Sequence, residues 1–155
     1  MNERILIVED DEAMRFFLVQ ALTKEGYGIE EAGSGEEALR KARRNPFDLG
    51  IIDVKLPDIS GIDLVSRLKS IDQALLAIIM TAFDSKELAM EAIQQGAYDY
   101  FTKPFKLEEL RVVIRRALEK RRLEKDIVQL KERLQERYEF ANIIEESDTK
   151  NIMEY

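Results

Sequence analysis

Short apolar runs alternate with stretches of helical spacing along most of this chain, and no other feature constrains its fold as tightly. Ile5-Leu6-Ile7-Val8 comes first, Tyr27 to Ala32 is a weaker second, and Leu49-Gly50-Ile51-Ile52-Asp53 is the third. Leu75 to Met80 and Ala97-Tyr98-Asp99-Tyr100-Phe101 complete the set. Runs this short, closed by turn residues, read as buried strands of a parallel sheet. The intervening segments are helical. Met14, Phe16, Phe17, Leu18, Ala21 and Leu22 recur at near-helical spacing, as do Ala38, Leu39 and Ala42, and then Ile62, Leu64, Val65 and Leu68. Ser34 with Glu37 three residues on makes a capping box, and Asp84 or Ser85 is placed to open a fourth helix. Gly26, Asn45-Pro46 and Gly96 mark helix ends. Five strands alternating with five helices predict an α/β fold: a doubly wound five-stranded parallel sheet, covered on both faces, over about 120 residues. Gly50 is an odd choice inside the third strand, where glycine weakens the structure unless something approaches closely.

Composition narrows the chemistry. The chain has 155 residues, no cysteine and no histidine. That excludes disulfides, thiolate and imidazole metal ligands, cysteine nucleophiles and histidine-based triads. A net charge of −7 argues against a general nucleic-acid or anionic-membrane surface. Neither a signal peptide nor a membrane span is legible, which points to the cytoplasm.

In a parallel sheet the carboxyl ends of all strands share one edge, where open α/β folds place their chemistry. Asp10 and Asp11 follow the first strand, Asp53 the third, Thr81 the fourth and Lys103 the fifth. Three carboxylates without histidine or cysteine suit a hard, oxygen-loving dication, of which Mg²⁺ is the natural choice. A lysine and a hydroxyl beside that ion would stabilise a phosphoryl group arriving on Asp53. Each residue taken alone has a plainer reading: Asp53 as a turn cap, Thr81 as a turn residue, Lys103 as a surface lysine. Five fitting types at successive strand ends outweigh it.

Ile7-Val8-Glu9-Asp10-Asp11, Ile52-Asp53-Val54-Lys55-Leu56-Pro57-Asp58-Ile59-Ser60-Gly61, Met80-Thr81-Ala82 and Tyr100-Phe101-Thr102-Lys103-Pro104-Phe105 occur in order. Together they resemble response-regulator receiver domains, with their flavodoxin-like fold. The resemblance implies that Asp53 accepts phosphate from a phosphohistidine on a sensor histidine kinase. It implies that Asp10, Asp11, Asp53 and the backbone carbonyl of Lys55 hold Mg²⁺, that Thr81 and Lys103 contact the phosphoryl oxygens, and that Tyr100 is the aromatic switch residue. Lys55 and the bulky Phe83 leave the phosphate lifetime open. An aspartyl-phosphate phosphatase of the haloacid dehalogenase type is the enzymatic rival. It needs a second Asp two residues after the nucleophile, and Lys55 stands there.

From Leu107 a helical pattern continues with no Pro or Gly between Lys106 and Tyr155. Leu110, Val113, Ile114, Ala117 and Leu118 suit packing on the sheet. Leu123, Ile127, Leu130 and Leu134 then recur at four, three and four residues, the seam of a coiled coil. Lys120 and Arg137 bound that seam, so it is short. The expectation is a homodimer through the last receiver helix and the coil, with a solvated single helix as the alternative. Acidic and basic residues nearly balance here, so Lys120-Arg121-Arg122 reads as helix surface and not as a nucleic-acid patch.

Phe140 to Asp148 resembles the junction at which sigma-54-dependent activators of the NtrC type enter their AAA+ ATPase, and no Walker A motif follows. The predicted organisation is a receiver over 1–120, a linker helix over 121–142 and the start of a downstream region over 143–155. A phosphorylation-independent dimerisation module and a stand-alone single-domain regulator are the competing functions.

Overall fold

The computed structural model describes residues 3–82 and 86–153, with side chains described as far as Ile144. Its elements run β1 (Arg4–Val8), α1 (Glu12–Lys24), β2 (Gly28–Ala32), α2 (Gly35–Arg44), β3 (Leu49–Asp53) and α3 (Gly61–Ile71). They continue with β4 (Leu76–Ala82), α4 (Lys86–Gln94), β5 (Asp99–Lys103) and α5 (Leu107–Met153). All strands pair in parallel in the order β2-β1-β3-β4-β5. The order reverses between β1 and β3, so a crevice opens at their carboxyl ends.

The period-two alternation of the strands divides the core into two layers. Leu6, Val8, Ile52, Ala77 and Ile79 face Ala38 and Leu39 of α2, Ile62, Leu64, Val65 and Leu68 of α3, and Ala92 of α4. Ile5, Ile7, Leu49, Ile51, Ile78 and Met80 face Leu18 and Leu22 of α1 and Leu110, Ile114, Ala117 and Leu118 of α5. Full burial of each such aliphatic side chain is worth roughly 1.5–3 kcal/mol, so the double coverage is what stabilises this sheet. Phe16 and Phe17 fall on the outer face of α1, exposed to 66% and 48%.

The helix ends follow local chemistry. The Ser34 hydroxyl accepts the Glu37 N–H at 3.2 Å, as the capping box predicts, while the Glu37 carboxylate reaches back one residue further than the box requires and accepts the Gly33 N–H at 3.1 Å. Gly26 and Gly96, after α1 and α4, have φ of +93° and +110°, a left-handed conformation that favours glycine. A Cβ at Gly50 would meet only the Ile52 side chain, at 3.4 Å and beyond, so no close approach accounts for that glycine. The expected α4 cap at Asp84 or Ser85 lies outside the described residues, as does Phe83.

Two strands extend further than the apolar runs suggest. β4 reaches Ala82 and β5 reaches Lys103, because the ladder pairs Thr81 with Thr102 and Ala82 with Lys103. Thr81 is therefore an interior strand residue and Lys103 the last residue of its strand.

At the opposite, amino edge of the sheet stands Asp48, immediately before β3 and 7% exposed. Its Oδ2 accepts the Arg4 N–H at 2.8 Å, its own N–H donates to the Arg4 carbonyl at 2.8 Å, and its Oδ1 lies 3.7 Å from Arg121 Nε of α5. The Arg4 guanidinium sits over the Phe47 ring, 5.1 Å from its centroid.

By its contacts the chain divides into Met1–Arg121 and Arg122–Tyr155. In the second unit Leu123, Ile127, Leu130 and Leu134 are all exposed. Among the described residues no helix is long and apolar enough to cross a membrane.

Candidate functional site

Asp53 closes β3 and is 7% exposed. Its Oδ2 accepts a hydrogen bond from Lys103 Nζ at 3.0 Å, and its Oδ1 accepts the Lys55 N–H at 3.2 Å. The same Lys103 ammonium donates to Glu9 Oε2 at 2.8 Å. One lysine at the end of β5 thus bridges carboxylates at the ends of β1 and β3. The Lys103-Pro104 peptide is cis. A cavity of about 100 Å³ adjoins the pair, lined by Asp53, Val54, Lys55, Ala82, Leu88 and Lys103.

Glu9 is the site residue that the sequence reading did not single out. It is 1% exposed, and one carboxylate oxygen each from Glu9, Asp10 and Asp53 lie within 4.8 Å of one another. Arg15 of α1 steadies it by donating from Nη1 to the Glu9 carbonyl at 2.7 Å and from Nε to Glu31 at 2.9 Å. Asp11, expected beside Asp10 at the metal, is turned elsewhere: it is the N-cap of α1. Its Oδ1 accepts the N–H groups of Ala13 at 3.0 Å and Met14 at 3.2 Å, donors that no carbonyl of the helix can reach. The acidic group gathered at these strand ends is therefore Glu9, Asp10 and Asp53, with Lys103 bonded to the first and the last.

Burial pushes the Glu9 carboxyl up to about 7, and the nearby Asp53 carboxylate adds to the rise, while Lys103 and the Asp11 N–H act the other way. For Lys103 burial disfavours the charge, but its hydrogen bonds to Glu9 and Asp53 outweigh burial and hold the ammonium above its ordinary range. Three carboxylates against one ammonium leave a negative surplus, and oxygen donors of this kind fit a hard divalent cation.

Thr81 is fully buried, and its hydroxyl donates to the Phe101 carbonyl at 3.4 Å. Tyr100, on β5, is 41% exposed. Gly61, the first residue of α3, presses on the backbone of Asp53. A Cβ there would stand 2.1 Å from the Asp53 carbonyl oxygen and 2.8 Å from its carbon, so only glycine fits.

A doubly wound sheet with an acidic crevice at its switch point, and one lysine bridging two strand-end carboxylates, defines a class of open α/β domains with cation-seeking sites. Residues 5–115 match the response regulator receiver domain model, and the chain belongs to that family. The chain is 37% identical over 118 residues to sporulation initiation phosphotransferase F of Bacillus subtilis, covering 76% of this chain and 95% of that protein. It is 33% identical over 144 residues to regulatory protein AtoC of Escherichia coli, covering 93% of this chain but 31% of AtoC. The crystal structure of NtrX from Brucella abortus superposes with a TM-score of 0.79 at 30% identity, over 84% of this chain and 30% of that one. The chain thus spans nearly all of one relative and about a third of two longer ones. It is a two-component receiver, a signalling domain, with homologues among NtrC-type activators.

Proposed function

We propose that Asp53 is the phosphoacceptor of a phosphorylation-controlled switch, charged by a sensor histidine kinase and read out through α5. The observation that carries this reading is the 3.0 Å contact between Asp53 Oδ2 and Lys103 Nζ, beside an open cavity and the Glu9–Asp10 carboxylates. An Asp53 carboxylate oxygen attacks phosphorus in line, and the P–N bond to the donor imidazole breaks with its electron pair leaving on nitrogen. Lys103 is placed to pair with a phosphoryl oxygen as charge builds there. Glu9, Asp10 and Asp53, joined by the Lys55 carbonyl, are the residues that would hold Mg²⁺. Once bound, that ion supplies charge neutralisation to the phosphoryl oxygens.

Thr81 lies one strand from Lys103, and among the described residues its hydroxyl has a single long hydrogen bond to give up before turning to the phosphoryl group. Tyr100 is exposed on the neighbouring strand and free to follow. The exposed seam Leu123, Ile127, Leu130 and Leu134 supports a homodimer, since a second copy would cover it. Residues 1–120 then act as receiver, 121–142 as linker helix and 143–155 as the approach to an effector. That effector is a sigma-54-dependent ATPase, as the similarity to longer NtrC-type relatives suggests.

The test uses acetyl phosphate and Mg²⁺ with intact-mass detection. The wild-type chain should gain one phosphoryl mass and Asp53→Asn none. An adduct that persists in Asp53→Asn, or no adduct on the wild type, would overturn the assignment.

A further inference from the structure

The loop joining β3 to α3, residues 54–60, is drawn together at its base and stapled at its tip. At the base the Gly61 N–H donates to the Val54 carbonyl at 2.8 Å, and Lys55 and Ser60 form an antiparallel bridge. At the root the Lys55 N–H holds Asp53 Oδ1. At the tip Asp58 reaches across to another element. Its Oδ1 accepts the Gly35 N–H at 2.9 Å and its Oδ2 the Glu36 N–H at 2.8 Å, while the Ile59 N–H also donates to Oδ1 at 3.0 Å.

Gly35 and Glu36 open α2, and the N–H groups of a helix's first turn have no partner within the helix. Ser34 meets the next two, its hydroxyl accepting from Glu37 and its carbonyl from Ala38 at 3.1 Å. Asp58 therefore completes the cap of α2 from more than twenty residues away, placing a carboxylate at the positive end of the helix. The Gly35 and Glu36 N–H groups hold the Asp58 carboxyl below its ordinary range, which agrees with the geometry. The approach is close: a Cβ at Gly35 would lie 3.0 Å from Ile59 Cγ1 and 3.3 Å from Asp58 Oδ1.

We propose that Asp58 is a positioning residue for the cation at Asp53: by tying the tip of the 54–60 loop to α2, it holds the Lys55 peptide in place beside the Asp53 carboxylate and thereby sets Mg²⁺ affinity without touching the ion. The inference rests on the reading that Lys55 and the strand-end carboxylates hold Mg²⁺. Its physical basis is preorganisation. A peptide already fixed loses little conformational entropy on meeting the ion, whereas a loosened one must be ordered at the moment of binding. Because α2 keeps its own capping box and the loop keeps its Lys55–Ser60 bridge, losing Asp58 frees the tip while leaving both elements formed.

The experiment is a calorimetric Mg²⁺ titration of the full chain as wild type, Asp58→Ala and Asp58→Asn, with urea midpoints recorded in Mg²⁺-free buffer. Asp58→Ala should weaken Mg²⁺ binding roughly threefold to tenfold, at or below the loss caused by removing a direct outer-shell partner of a metal ligand. Asp58→Asn should recover only part of that loss, because its amide oxygen can still accept from Gly35 and Ile59 while its NH2 group cannot accept from the Glu36 N–H. A lower urea midpoint in Asp58→Ala with unchanged Mg²⁺ affinity would make the contact merely structural and overturn the proposal. Equal weakening in both variants would also overturn it, since lost negative charge would then explain the effect. If the wild type binds no Mg²⁺, the cation reading falls and this inference falls with it.

Discussion

β3 carries a buried aspartate at each end, and the two have opposite uses. Asp48 precedes the strand and Asp53 closes it, and both are 7% exposed. Each has a cationic partner, Arg121 at 3.7 Å and Lys103 at 3.0 Å. Asp48 also accepts the Arg4 N–H, and among the described residues it belongs to no cluster of three acids. Asp53 shares the Lys103 ammonium with Glu9, has Asp10 alongside and faces a cavity. A buried carboxylate is thus not a site in itself. Surplus like charge and an adjoining cavity are what set the Asp53 end of the strand apart from the Asp48 end.

The sharpest way to break this comparison is phosphorylation. Asp48→Asn should still take up a phosphoryl group from acetyl phosphate, whereas Asp53→Asn should lose it entirely by intact mass. Equal loss in both variants would mean that the two ends do not divide the work. Stability should separate them in the other direction. Asp48→Ala strands Arg121 and the Arg4 N–H, and should cost about 3 kcal/mol in urea unfolding. Asp53→Asn relieves crowding while Lys103 keeps Glu9, so without Mg²⁺ it should gain about 1 kcal/mol. A loss at Asp53 as large as that at Asp48 would refute the contrast.

The smallest expected effect is a pH dependence confined to the functional end. Unfolded, Glu9 gives up its proton near 4.5, whereas in the fold it keeps it up to about 7. Between those values the folded chain binds the extra proton, so its Mg²⁺-free stability should fall as pH rises through that window. Glu9→Gln should flatten this slope, and a wild-type urea midpoint that rose from pH 4.5 to 7 would contradict it. Asp58 and Glu37, both held below their ordinary range by backbone N–H groups, act in the opposite sense. The stability they contribute is present above their unfolded values and is lost only as pH falls further.

The parts of the molecule legible in the sequence are those written in neighbouring residues. The strands announce themselves because both faces are covered, and the Ser34–Glu37 box lies within one helical turn. The acidic run Glu9-Asp10-Asp11-Glu12 shows where local reading stops. Composition cannot say which two of four acids face the crevice, although Asp11 standing one residue before the helix was a signal for a cap. Asp53, Thr81 and Lys103 were recognisable because each follows or ends an apolar run. Asp48 with Arg121, and Asp58 with the start of α2, join residues far apart in the chain and leave no periodic mark.

The absence of a side chain at Gly61 has a mechanical consequence. With the Asp53 carbonyl pressed against its Cα and its N–H bonded to the Val54 carbonyl, the Asp53 peptide and the first turn of α3 are locked together. On that side the crevice has a fixed jaw. On the other side the backbone ladder joins β4 to β5, and the Thr81 side chain adds to it only a long hydrogen bond to the Phe101 carbonyl, so the Thr81 hydroxyl is less firmly held than the Asp53 peptide.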